Sequence, residues 1–186
     1  MEEEDTTEVQ GHRVFVGTNL EAQAAIGRIA IWAAYVEDNL VELCARLVNS
    51  DDREVGYAVT VNMNASSVIQ LARKLITHSK TASAKDKAEV LAMLTDAKAA
   101  LEQRNKILHG TVGPLMFQGK TVFNHRRKSG PVPPGQNPGW QQTSLGIDEL
   151  DEIGARLFNL SEELYGHVYL PPDENYGGSY YLVDRN

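Results

Sequence analysis

Four stretches of this chain repeat apolar residues at three- and four-residue steps, the period of one helix face, and that pattern most constrains what it can fold into. The plainest is Val90, Leu94, Ala97, Leu101 and Leu108, opened by Ser83 with Asp86 three residues on and closed by Gly110. Before it, Ala22, Ile26, Ile29, Ala33, Val36, Leu40, Leu43 and Leu47 predict a first helix over about 19–49, with Thr18 and Glu21 as its capping box. Ala58, Val61, Ala65, Val68, Ala72 and Leu75 predict a second over about 53–78, with Asp51 and Glu54 at its start. The β-branched and Asn residues of Thr60 to Asn64 weaken its middle, where a kink is expected. Leu150, Ile153, Leu157, Leu160, Leu164 and Val168 predict a fourth helix, capped by Thr143 or Ser144 and stopped by Pro171-Pro172.

The connections between the first three helices are short, which makes them antiparallel neighbours. Between the third and fourth the period changes. Leu115 to Phe117 and Thr121 to His125 flank Gln118-Gly119-Lys120 and read as a hairpin, and the Pro- and Gly-rich residues 129–139 as a loop. The expectation is a mainly α protein, an up-and-down four-helix bundle over 18–169 with a β-hairpin and loop insertion at about 111–142. An acidic tail, 1–17, precedes it and a Tyr- and Gly-rich tail, 170–186, follows.

The 42% hydrophobic and 23% charged composition is that of a globular protein. No run of apolar residues is long enough for a membrane span, and the first five residues are acidic where a signal peptide is basic and then apolar, so the cytosol is the expected place. Cys44 is the only cysteine, which excludes an internal disulfide and a multi-thiolate zinc site within one chain. The formal charge of −7 owes five negative charges to Glu2, Glu3, Glu4, Asp5 and Glu8, leaving the rest at about −2. That balance neither demands nor forbids a polyanionic partner. Ile31, Trp32 and Tyr35 fall off the main stripe of the first helix and offer a second packing surface, suited to a partner chain.

One group of residues suggests chemistry. Arg104 occupies the next step of the stripe 90, 94, 97, 101, where a guanidinium needs a partner or a wet cleft because burying it alone is very costly. Asn105 and His109, four apart, share a face on which the amide can orient the imidazole. The last turn of a helix favours a cation, and an imidazole there can give or take a proton near neutral pH. The set suits metal-free cleavage of RNA by its own 2′-hydroxyl, with His109 moving a proton and Arg104 facing the phosphorane charge. One chain holds one such pair, and two chains joined at their third helices would hold two. Cations in the last turn followed by glycine are also ordinary at helix ends, which accounts for Lys106, His109 and Gly110 without catalysis but not for Arg104 on the stripe.

Arg104-Asn105-x-x-x-His109 followed by Gly110 resembles the RNxxxH motif of HEPN domains (higher eukaryotes and prokaryotes nucleotide-binding), and the likeness extends more loosely over about 19–168. The resemblance implies a homodimer with facing motifs, in many members a metal-independent endoribonuclease of toxin, defence or RNA-processing systems, sometimes held by an antitoxin or regulatory protein. By that likeness Arg104 and His109 are catalytic and Asn105 supports them. Active members add an acidic or polar residue from an earlier helix, for which Glu37 and Asp38 are the candidates here. Other members are non-catalytic interaction or nucleotide-binding modules, a reading favoured by the acidic charge and the Tyr-rich tail.

Arg126, Arg127 and Lys128, beside His125, form a basic cluster that could hold RNA phosphates, with Phe117 or Phe123 stacking on a base; a solvated loop is the commoner use of such a run. His12, His78 and His167 lack metal-ligand spacing, and no phosphate-loop, dinucleotide or serine-hydrolase motif occurs, so no metal and no cofactor are expected.

Overall fold

In the computed structural model, which describes residues 20–112, 120–126 and 139–169, the chain forms helices α1 (Leu20–Val48), α2 (Arg53–Thr60), α3 (Ala65–His78), α4 (Ala84–Leu108) and α5 (Ile147–Tyr169). Between α4 and α5 lies a three-stranded antiparallel sheet, β1 (Thr111–Val112), β2 (Thr121–Arg126) and β3 (Trp140–Leu145), with β2 in the middle. The protein is therefore mainly helical, and no helix among the described residues is long and apolar enough to cross a membrane.

The helical periods fall where the core is. Ile29, Val36, Leu40 and Leu43 of α1, Val68 and Ile76 of α3, Val90 and Leu94 of α4, and Leu150, Leu157 and Leu164 of α5 are fully buried in one cluster. Helix α4 begins as its sequence dictates: the Ser83 hydroxyl accepts from the Asp86 amide at 3.2 Å and the Asp86 carboxylate accepts from the Ser83 amide at 3.1 Å. Cys44 is buried in α1, and burial pushes its thiol up to about 11.

Three expectations are corrected. The single second helix is two helices, because the chain stops at Val61 and restarts where the Asn64 side chain accepts from the Ser67 amide at 2.9 Å. The cap of α2 is Asp52, not Asp51, its carboxylate accepting from the Glu54 amide at 3.0 Å. Thr143 and Ser144 do not cap the last helix; they lie in β3, paired with Phe123 and Val122, and α5 starts after Gly146, whose amide donates to Glu149 at 2.8 Å. The structured insertion thus reaches Leu145. The expected turn at Gln118-Gly119, the strand Leu115 to Phe117, the loop 129–138 and both tails lie outside the described residues.

The break at 61–64 also changes the course of the bundle. Gly56 lies so close to α1 that a Cβ there would stand 2.3 Å from the Ala45 carbonyl oxygen, so α2 folds back along α1 for only two turns. Helix α3 then returns, its Lys74, Leu75 and His78 sharing a groove with Arg46 to Ser50 at the end of α1. Helix α4 runs the other way, with Arg104 at Glu37, and α5 runs parallel to α1: Arg28 meets Asp151, the Asn39 amide donates to the Ser161 carbonyl at 3.0 Å, and Arg46 covers the Tyr169 ring at 5.5 Å. Consecutive helices thus reverse one after another, and because the expected second helix is split in two, the last helix runs parallel to α1 where a four-helix up-and-down order would set it antiparallel.

Candidate functional site

The motif occupies the last two turns of α4. Arg104 sits on the buried seam, as its place in the stripe requires, with 13% of its side chain exposed. Its Nη2 donates to Glu37 Oε1 of α1 and its Nη1 to Asn105 Oδ1 at 2.9 Å, while Nε is buried with no partner. The carboxylate supplies the countercharge that a guanidinium in this position needs, and it keeps 40% exposure, so the pair sits at the edge of the core with one end wet. Of the two acids singled out from sequence, Glu37 reaches the motif; Asp38 is exposed one step further round α1.

Asn105 and His109 are both exposed. The expected amide–imidazole hydrogen bond is replaced: the Asn105 side-chain oxygen accepts from Arg104, and Asn105 meets His109 through the backbone, its carbonyl accepting the His109 amide at 3.1 Å as the helix ends. Arg104 and His109 leave α4 about 140° apart, because five residues advance the helix by about 1.4 turns. The guanidinium reaches back across this angle toward Asn105, which shares a face with His109. Glu37, Arg104 and Asn105 thus form one chain of side-chain contacts, and the exposed His109 follows one helical turn after Asn105.

Gly110 lets the sheet close on this end of α4. A Cβ there would stand 2.7 Å from the Lys106 carbonyl oxygen and 3.2 Å from the Phe123 Cβ. Thr111 pairs with Asn124 of β2, and His125 is the next residue along that strand. Both ring nitrogens of His125 are shielded from solvent and without partners, so it is not part of a solvated cluster. Arg126 is exposed at the end of β2, opposite Trp140; Arg127 and Lys128 lie outside the described residues. Among the described residues no group of three His, Cys, Asp or Glu side chains is arranged to hold a metal ion.

The second apolar face of α1 is present: Ile31 and Tyr35 are 56% and 54% exposed, and Trp32 packs edge-on against Phe158 of α5 with centroids 4.7 Å apart. Two residues turn a helix by about 200°, so Tyr35 and Glu37 point to opposite flanks of α1. A partner seated on Ile31 and Tyr35 would leave Arg104 on the far side.

A polar cluster unforeseen in the sequence fixes the other end of α1. Glu42, with 4% of its side chain exposed, accepts from Arg46 Nε at 3.0 Å, from Arg53 Nη1 at 3.1 Å and from the Tyr57 hydroxyl. The hydrogen bond to Glu42 raises the Tyr57 hydroxyl above its ordinary range. The cluster ties α2 to α1.

Comparison with protein-family models, with curated proteins and with solved structures finds no match to this chain.

Proposed function

We propose that the chain is a HEPN-like homodimeric endoribonuclease that works without a metal ion, with Arg104 and His109 acting at the scissile phosphate. The observation that carries this reading is Arg104 itself, a guanidinium on a buried seam, held from one side by Glu37 and from the other by Asn105, with an exposed histidine one helical turn beyond Asn105. A helix end that needed only cations for its dipole would leave them in solvent, as it leaves Lys106. Glu37 is the supporting acid, and it acts by holding Arg104.

In this mechanism the 2′-hydroxyl attacks phosphorus, one His109 takes its proton, and the His109 of a second chain gives a proton to the departing 5′-oxygen. The products are a 2′,3′-cyclic phosphate and a 5′-hydroxyl. Arg104 keeps N–H groups beyond those given to Glu37 and Asn105, and they stabilise the extra negative charge of the phosphorane. The dimer this requires joins the flank of α4 that carries Asn105 and His109, not the Ile31 and Tyr35 face.

Incubation of RNA with the purified chain in EDTA tests the reading. Cleavage yielding cyclic phosphate ends, reduced about a hundredfold or more in folded His109→Ala and Arg104→Ala variants, is expected. Equal cleavage by both variants would assign the activity to a contaminant. A non-catalytic interaction module is the second reading, favoured by the exposed Ile31 and Tyr35, and it predicts no cleavage at all.

A further inference from the structure

The insertion brings its sheet against the motif helix and encloses a small cavity there. The pairing of Phe123 with Thr143 and of Thr121 with Leu145 sets these four side chains on one face of the sheet, because directly opposite residues in an antiparallel pair share a face. That face meets α4 and the first turns of α5 around a cavity of about 110 Å³. Ile107, Phe123, Leu145 and Ile153 make its apolar walls, and Gln103, Lys106 and Thr143 supply polar groups. Lys106 and Ile107 lie within the Arg104 to His109 stretch itself.

Apolar walls with a few convergent polar groups are the usual make-up of a small-ligand site. The volume selects the ligand. An apolar cavity of about 150 Å³ accepts a benzene ring; this one is smaller, so a single six-membered ring enters it only with one edge left at the open mouth, and a fused pair has no room. The Lys106 ammonium can only donate, the Gln103 side-chain oxygen already accepts from Arg156 at 3.5 Å and leaves its amide nitrogen to donate, and the Thr143 hydroxyl can do either. A ring with carbonyl oxygens at its edge satisfies them. Lys106 can also neutralise a phosphate attached to that ring.

We propose that this cavity binds a single pyrimidine base, uracil in preference to cytosine, of an RNA strand whose backbone crosses the end of α4. The strand rests on the nuclease reading; the binding of the base does not. The Phe123 ring, fully buried, is the floor of the pocket and not a stacking platform on the surface.

Calorimetric titration of the full chain with uridine, cytidine and adenosine monophosphates in EDTA tests the proposal. Uridine monophosphate should bind, and adenosine monophosphate at least about tenfold more weakly. Ile153→Phe, which fills the cavity from its half-buried wall, should abolish the heat, and Thr143→Val should weaken binding by about threefold to tenfold without touching the apolar walls. No heat with any nucleotide, equal affinity for uridine and adenosine monophosphates, or binding untouched by both substitutions overturns the pocket. RNA cleavage with no uridine monophosphate binding would remove the pocket and leave the nuclease; binding without cleavage would do the reverse.

Discussion

Replacing Glu37 with glutamine keeps the size and hydrogen-bonding reach of the side chain and removes only its charge. The Arg104 guanidinium is then left at 13% exposure with Asn105 as its remaining partner, and with Nε already unpaired. Breaking a buried ion pair by deleting one member costs about 3–5 kcal/mol, whereas exposed pairs contribute about 0–1 kcal/mol. Glu37 is 40% exposed and water can partly replace it, so the cost falls between these limits, about 1–3 kcal/mol. With a urea slope of about 2 kcal/mol per molar, the unfolding midpoint drops by roughly 0.5–1.5 M. The control is Arg104→Leu, which removes the seam guanidinium and leaves Glu37, 40% exposed, to water; in that background Glu37→Gln should cost almost nothing. A shift below about 0.2 M in the native background, or the same shift in both backgrounds, would refute the claim that Glu37 is what makes a seam guanidinium tolerable.

Two further outcomes follow from the packing. Gly56→Ala forces a methyl against the Ala45 backbone, where neither helix can yield locally, and should destabilise by about 2–3 kcal/mol or more in urea melts, with loss of the Tyr57 contact to Glu42. Burial lowers the proton affinity of His167 in the folded chain against the pull of Glu163, Glu89 and Asp86, so the unfolded chain protonates first as pH falls; stability present above about pH 6.5 should decline below it, and His167→Gln should flatten the profile between pH 7 and 5.

What the sequence discloses is what local physics decides. The box of Ser83 and Asp86, the stripe from Val90 to Leu101 and the stop at Gly110 act within a few residues of one another, and α4 follows them. Asp38 against Glu37 was also decidable: on the wheel defined by Ala33, Val36 and Leu40, Glu37 flanks the buried stripe and Asp38 falls nearly opposite it. The reversal at Val61 to Asn64 was not, because weak helix propensity announces a break without its direction, and the direction is set by Gly56 lying on Ala45. Strand β3 was hidden for another reason. Trp140 to Leu145 is mostly polar and mostly exposed, so it carries no alternation of apolar residues, and its place comes from pairing with β2. The cavity beneath the sheet depends on that pairing and was equally invisible.

The central claim, that two chains share one cleaving site, is tested most directly by mixing. Wild-type chain allowed to exchange with a ninefold excess of folded His109→Ala chain should lose activity to about a tenth per wild-type chain, since nearly every wild-type protomer would then face a partner without its imidazole. Activity per wild-type chain that stays constant through the same titration would contradict the account.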